Sequence, residues 1–329
     1  MRRPARMATP LADPTRGRRP AAAATATRLR PHGAWLQLLA VGLLVSGCAG
    51  AGSAAKDRPE LSFGPEADVD ASARRIAARA RTAEVVYLGE LHDNAQHHVI
   101  QARVLEAIIA TGSRPALAFE MIPETGQAAL EAVVRSDAGR AEVDKQLGWS
   151  AQGWPDFAMY WPLFELARKH RLPVVGTDLD PAVARRVGRG GLRAAGDDPA
   201  RLRSALPDDL ARDRGIVERL QAAHCGQISE DRANRMLESW YARNVVMARH
   251  VGAGLGLAPQ VVVIMGRGHG SPGGVPEQLA AIRPGTRQLM VGLYEGEADG
   301  PTEPLADVVW VTPKRPRPDP CLSLPQRLG

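Results

Sequence analysis

The chain contains six short apolar runs, most of them rich in β-branched residues, and longer segments with helical periodicity separate most of them. The runs cover residues 85–88, 116–120, 174–177, 261–265, 289–294 and 308–311. Short runs that alternate with helices are typical of βαβ units, whose crossover helices cover a parallel sheet. The pattern therefore predicts an α/β fold with a mostly parallel central sheet, flanked by helices in three α/β/α layers.

The segment between the third and fourth runs is much longer than a crossover helix requires. Residues 179–257 hold three or four helical patterns and no strand pattern, so we expect an inserted helical subdomain. Its longest helix is predicted over residues 231–250, where Met and Trp residues recur at helical spacing. We interpret this stripe as core packing in preference to a ligand surface.

The amino-terminal region has the composition of an export signal. A basic stretch precedes an apolar run at residues 34–45, and Ser46-Gly-Cys48 follows, in the order of a signal peptide. Val-Ser-Gly-Cys resembles the lipobox of bacterial lipoproteins, which implies cleavage before Cys48 and lipidation of its thiol; an ordinary secretory peptide is the alternative. We assign residues 1–47 to a lipoprotein signal peptide, 48–61 to a flexible tether, 62–312 to the folded domain and 313–329 to a Pro-rich tail.

Removal of the signal peptide changes the charge of the chain. The whole chain has a formal net charge of +6, but residues 1–47 hold eight arginines and one aspartate, which leaves 34 basic and 35 acidic residues. A nucleic-acid-binding domain needs a basic surface, so we predict no nucleic-acid partner. Once Cys48 is assigned to lipid, Cys225 and Cys321 remain, either as a disulfide of an exported protein or as two free thiols.

Four of the predicted strands end in ionisable side chains. These are Glu90 and His92 after the first run, Glu120 at the second, Asp178 at the third, and Arg267 and His269 after the fourth. Because open α/β sheets bind ligands at the carboxyl ends of their strands, we expect these groups to converge on one edge, called the rim below. Two imidazoles with two or three carboxylates suit a metal ion or acid–base chemistry. Helix caps and ion pairs are the structural alternative.

The same runs resemble a known family. Segments 85–98, 117–121, 160–163, 172–178 and 265–269, led by Gly-Glu-Leu-His-Asp with paired histidines, resemble the ChaN-like haem-binding lipoproteins of the Tiki and erythromycin-esterase-like superfamily. Some Tiki members are metal-dependent proteases whose metal groups sit on strand-end motifs. The corresponding positions here are Glu90, His92, Glu120 and His269. The family usually has asparagine where this chain has Asp178.

The resemblance implies a membrane-anchored lipoprotein that binds haem for haem and iron uptake, in the outer membrane and facing the periplasm. It also implies a tyrosine or histidine as axial iron ligand, a homodimer around paired haems, and haem receptor or transporter components as partners. We predict Tyr160 as the leading ligand because its aromatic, apolar setting suits a porphyrin; a half-buried tyrosine at a helix start is the alternative. His97, His98 and Arg267 are further predicted haem contacts, with one of the two histidines on the ligand and the other facing solvent.

The second interpretation is a metal-dependent hydrolase, either a Tiki-like protease or an esterase. Glu90, His92, Glu120 and His269 would then hold one divalent ion such as Mn, Co or Zn, and Glu90 and His92 would be the catalytic groups. A third is a lipoprotein that binds another small ligand. The first two use the same rim, and we favour the non-enzymatic, haem-binding interpretation.

Overall fold

The computed structural model describes residues 59–196, 199–296, 306–319 and 321–322. The described strands are β1 (Leu61–Phe63), β2 (Val85–Glu90), β3 (Ala116–Pro123), β4 (Val174–Asp178), β5 (Val261–Gly266), β6 (Gln288–Glu295) and β7 (Val308–Thr312). The described helices are α1 (Val69–Ala80), α2 (Ala95–Ala110), α3 (Gln127–Arg135), α4 (Arg140–Leu147), α5 (Trp161–His170), α6 (Pro181–Gly190), α7 (Leu210–Ala223), α8 (Glu230–Gly254) and α9 (Val275–Ile282). The predicted signal peptide and the lipidation site Cys48 lie outside the described residues.

The strands form one sheet in the order β1-β7-β6-β2-β5-β3-β4, and every neighbouring pair is parallel. The predicted α/β fold is therefore confirmed. β2 lies at the centre of the sheet between β6 and β5, and its last residue, Glu90, is paired with Gly266. Because the strands all run the same way, their carboxyl ends meet at a single edge, which is the predicted rim.

Helices cover both faces of the sheet, as the alternation of side chains along β2 illustrates. Val86 and Leu88 belong to the apolar core formed with α1, α2 and α5. Val85 and Tyr87 point to the opposite face and belong to the core formed with α8 and α9. Since both faces of a parallel strand are buried, its sequence is continuously apolar instead of alternating.

Between β4 and β5 the described residues form helices and turns alone. α6 packs on α8 through an apolar cluster that includes Val187 and Val246. α8 has 25 residues and extends beyond the predicted 231–250 at both ends; Met247 of its Met and Trp stripe is buried in the core. Neither α8 nor any other described helix is long and apolar enough to cross a membrane.

The Pro-rich tail runs along the rim after β7. Nε of Arg317 donates to Oδ2 of Asp93, in the loop after β2 (2.5 Å), and Nη2 donates to Oε1 of Glu295, at the end of β6 (2.7 Å). Farther on, Cys321 forms a disulfide with Cys225, which lies between α7 and α8. The tail thus links the central strands to the helical segment.

Candidate functional site

The ends of β2, β3 and β5 bring four of the predicted residues together. Glu90 ends β2, Glu120 lies near the end of β3, and His269 lies in the 3₁₀ turn that follows β5. Nε2 of His269 is 3.0 Å from Oε1 of Glu120, and Nε2 of His92 is 3.9 Å from Oε2 of the same carboxylate. Both glutamates are buried. His92 is the most exposed of the four, with 31% of its side chain accessible.

Glu90 has both carboxylate oxygens hydrogen-bonded. Oε1 accepts from Nδ1 of His92 (2.8 Å) and from the hydroxyl of Tyr160 (2.5 Å). Oε2 accepts from Nε2 of Gln101 (2.5 Å) and lies 3.2 Å from Nδ1 of His98. Burial alone would raise the pKa of Glu90, but the hydrogen bonds from His92 and His98 lower it to about 2. Glu90 is therefore an ionised carboxylate at neutral pH.

His98 is the second imidazole that lies beside the Glu90 carboxylate. Its Nε2 donates to the carbonyl oxygen of His92 (2.9 Å), and its Nδ1 faces Oε1 of Gln101 (3.0 Å) as well as the Glu90 carboxylate. Burial would lower the pKa of His98, but the hydrogen bond to Glu90 raises it. An imidazole whose two nitrogens both face acceptors suits the protonated form.

Arg243, in the middle of α8, joins the rim although the sequence did not point to it. Its Nε donates to Oδ1 of Asp178 (2.9 Å), and its Nη2 donates to Oδ2 of Asp178 (2.8 Å) and Oε1 of Glu120 (2.9 Å). Burial would lower the pKa of Arg243, but the two carboxylates raise it. Asp178 is thus the carboxylate of a bidentate ion pair.

The residue after Arg243 also contributes to the rim. Oδ1 of Asn244 accepts from Nδ1 of His269 (2.9 Å), so α8 fixes both the carboxylates and the imidazole. Arg243 and Asn244 interrupt an otherwise apolar stretch at residues 242–248. A polar pair inside such a stretch was the sequence signal for their role.

The rim does not fit a divalent metal ion. The guanidinium of Arg243 lies against Glu120 and Asp178, where a bound cation would need their oxygens, and the oxygens of Glu90 already accept hydrogen bonds. Within the described part of the chain, no group of three or more His, Cys, Asp or Glu side chains is arranged to hold a metal ion. The structure therefore gives no support to the alternative with Mn, Co or Zn.

A cleft of about 910 Å³ opens beside the rim, at the carboxyl ends of β3 and β4. Met121 and Trp154 contribute apolar and aromatic surface to it, and Arg185 and Arg243 contribute positive charge. The ring of Trp154 contacts His92 edge-on, with 5.1 Å between the ring centroids. The cleft and the rim are therefore adjacent, and the cleft volume is typical of a small-molecule site.

Residues 76–279 match a protein family described as haem-binding uptake, Tiki superfamily, ChaN. The chain belongs to the ChaN family. The match includes every rim residue and confirms the resemblance carried by the strand-end motifs. Among curated protein sequences, none matches this ChaN-family chain.

Several solved structures are similar to this ChaN-family chain, one of them with a TM-score above 0.5. A structure entitled "Cofacial heme binding to ChaN of Campylobacter jejuni" is 17% identical, with a TM-score of 0.57, over 68% of this chain and 86% of that one. The type III effector HopBA1 is 15% identical, with a TM-score of 0.46, over 79% and 98% of the two chains. The erythromycin esterase EreC in its open conformation is 13% identical, with a TM-score of 0.41, over 67% and 72%.

Tyr160, the leading predicted haem ligand of this ChaN-family chain, is fully buried. Its ring packs between His98 and Trp149, with centroid distances of 4.1 and 4.5 Å. Burial and the neighbouring charge of Glu90 raise the pKa of Tyr160, so the phenol stays protonated and donates to Glu90. Ligation of iron by a Tyr160 phenolate stays a prediction, and it requires this hydrogen bond to break.

The expectation that one of His97 and His98 faces solvent is wrong, because both are buried. Asn94 caps α2, and the first turn of the helix lies against β7 as well as β2. Nδ1 of His97 accepts from the backbone N–H of Leu91 (3.0 Å), and its Nε2 is 3.1 Å from the hydroxyl of Thr312. Both nitrogens of His97 are thus engaged inside the protein.

Arg267 turns toward β6, away from the cleft. Its guanidinium stacks over the ring of Tyr294 at 4.9 Å, and burial lowers its pKa. Arg267 is not among the residues that line the cleft. A haem bound in the cleft would therefore not contact Arg267 in this position, and the predicted contact between Arg267 and haem stays a prediction.

Proposed function

We propose that this chain is a membrane-anchored haem-binding lipoprotein that takes part in haem and iron uptake. The observation that carries the proposal is the cleft, because a chain of a haem-binding family has about 910 Å³ of partly apolar space beside its rim. Haem is a flat, largely apolar macrocycle, and the aromatic ring of Trp154 together with Met121 suits its face.

Among the predicted residues, we propose His92 as the iron ligand, because its ring, although not part of the cleft lining, contacts Trp154, which is. Its side chain is partly exposed, and its Nε2 makes no hydrogen bond with the described residues, since Oε2 of Glu120 is 3.9 Å away. Its Nδ1 is held by Glu90, and a carboxylate on the far nitrogen orients a histidine ligand and increases its basicity. Tyr160 is the competing ligand.

The proposal is tested by titrating ferric haem into the chain from residue 49 onward, which contains every described residue. We expect a saturable Soret shift. Trp154→Ala should weaken haem binding by about tenfold, because it removes the aromatic wall. Trp161→Ala is the matched control, since Trp161 lies in the same region but not in the cleft. The absence of a Soret shift, with stoichiometric Mn, Co or Zn in protein purified without chelator, would overturn the proposal.

The two iron ligands are distinguished by substitution. His92→Ala should shift the Soret and charge-transfer bands of the complex, whereas Tyr160→Phe should leave the band positions unchanged. The reverse pattern would assign the iron to Tyr160 and reject His92.

The membrane anchor is a further part of the proposal. Its support is the lipobox-like segment that ends in Cys48, and the proposed location is the outer membrane, facing the periplasm. Cys48→Ala should release the chain into the soluble periplasmic fraction. A lipid-free Cys48 in the mass spectrum of the membrane fraction would reject the anchor.

Assembly around paired haems is proposed by analogy with the Campylobacter jejuni protein, whose title describes cofacial haem binding. We expect two copies of this chain to associate when haem is bound, and haem receptor or transporter components to be the partners. Light scattering should show the mass doubling on addition of haem. An unchanged mass would reject the homodimer.

A further inference from the structure

Arg243 has hydrogen-bonding capacity that the rim does not use. Its Nε and Nη2 hold Asp178 and Glu120, but Nη1 makes no hydrogen bond with any described residue. The side chain is 26% exposed and lines the cleft. The guanidinium is therefore fixed by two buried carboxylates on one side and open to the cleft on the other.

A second arginine lines the same cleft without a carboxylate partner. Arg185 lies on α6, is exposed, and forms no ion pair or hydrogen bond with the described residues. Arg186, the next residue, donates instead to the carbonyl oxygen of Ala195 (2.9 Å). Arg185 is thus free to bind an anion that enters the cleft.

The acidic residues of the cleft already have partners. Asp178 is held by Arg243 through both of its oxygens. Asp180 caps α6, where its Oδ1 accepts from the backbone N–H groups of Ala182 (2.8 Å) and Val183 (3.1 Å). The positive end of the helix dipole offsets the charge of Asp180, so neither carboxylate competes directly for Arg185 or for Nη1 of Arg243.

We propose that Arg243 and Arg185 are carboxylate-binding residues of the cleft, so that its ligand is a flat apolar molecule that carries carboxylates. Guanidinium and carboxylate make strong, charge-assisted hydrogen bonds. This proposal rests on the proposed function, because it takes the ligand to be haem, whose carboxylates are its two propionates. Arg243 binds one from a fixed position, and Arg185 binds the other from the exposed face of α6.

The test compares ferric haem with its dimethyl ester, in which both propionates are uncharged, in the same detergent solution. Wild-type protein should bind haem about 10- to 100-fold more tightly than the ester, as expected for the loss of hydrogen bonds to a charged group. Arg185→Gln should reduce this preference about tenfold by weakening haem alone. Arg189→Gln, on the same helix but outside the cleft lining, should leave the preference unchanged.

Arg243→Lys tests the second carboxylate-binding residue while preserving the positive charge that Asp178 and Glu120 require. Lysine lacks the planar fork of arginine, so the preference for haem over the ester should fall while circular dichroism stays unchanged. Equal affinity of the wild type for haem and for its ester would overturn the proposal that Arg243 and Arg185 bind carboxylates, and would leave the proposed haem binding in place. A lack of binding by both ligands would instead overturn the proposed function.

Discussion

At the scale of single residues, Gly266 determines how closely His92 can approach the end of β5. A Cβ atom on Gly266 would lie 2.7 Å from Nε2 of His92 and 3.5 Å from Oε2 of Glu120. The backbone angles of Gly266, φ −59° and ψ 134°, are accessible to alanine. A substitution there would therefore act by contact with the imidazole and not by backbone strain.

We predict that Gly266→Ala displaces His92 and weakens haem binding at least tenfold, because the new methyl group would push the imidazole away from its position beside Glu90. Gly268→Ala is the matched control, because a Cβ at that glycine meets no atom within 4 Å. Haem titration of both variants measures the effect, and thermal unfolding shows whether the fold is kept. Equal haem affinity of the two variants would contradict the prediction.

His97 gives the protein a predictable dependence on pH. Burial lowers its pKa from 6.5 to about 4, so between these values the unfolded chain binds a proton that the folded chain does not. The free energy of unfolding therefore falls as the pH falls through this window, by roughly 3 kcal/mol for this residue. Well above pH 6.5, His97 is neutral in both states and has no such effect.

The measurement is urea unfolding of wild type and His97→Gln at several pH values. His92 and His98 have raised pKa values and act in the opposite direction, so the informative quantity is the difference between the two proteins. From pH 7 to pH 4 we expect the wild type to lose roughly 3 kcal/mol more than the variant. Parallel stability curves would show that His97 is protonated in the folded state.

At the scale of elements, the six longer strands were predictable because their signal is local. Each is a largely apolar run buried on both faces, and flanking helices bury such runs wherever the sheet is parallel. β1 was not predicted, because Leu61–Phe63 is only three residues long and pairs with β7, which lies more than 240 residues farther along the chain. Its strand conformation depends on that distant partner.

The start of α2 shows the same limit within the site. The Asn94 cap was predictable, since the asparagine side chain accepts from the backbone N–H groups of Gln96 and His97. A capping residue indicates where a helix begins, but it does not indicate which residues pack against that helix. His98 packs on Tyr160 and His97 contacts Thr312, and these partners come from distant parts of the chain.

The rim itself was predictable in position and incomplete in composition. Because the strands are parallel, Glu90, Glu120 and His269 lie at one edge of the sheet. The alternation of apolar runs and helices in the sequence predicted this parallel arrangement. Arg243 reaches the same edge from a helix inserted after β4, and its arrival depends on how α8 packs across the sheet. The sequence analysis suggested a metal ion because it found the carboxylates of the rim without Arg243, the cation that pairs with them.

At the scale of the whole molecule, one covalent bond joins the tail to the helical segment. Cys225 and Cys321 are 96 residues apart, so the bond restricts a large loop of the unfolded chain. We predict that Cys321→Ser lowers the free energy of unfolding by about 2–5 kcal/mol. The ion pairs of Arg317 are surface contacts, and Arg317→Ala should cost less, up to about 1 kcal/mol.

Urea unfolding with and without dithiothreitol checks this prediction. The reductant should lower the stability of the wild type to that of Cys321→Ser and have no effect on the variant. Stability of the wild type that does not respond to the reductant, although thiol titration shows both cysteines reduced, would contradict the role of the bond.

The parallel pairing of β1 with β7 fixes the edge of the sheet at which the chain enters. Leu61 begins β1, so the chain enters the sheet at the edge opposite the rim. If Cys48 carries the proposed lipid, the thirteen residues from Cys48 to Leu61 can span at most about 45 Å. The lipid would then be joined to the domain from the edge of the sheet opposite the cleft.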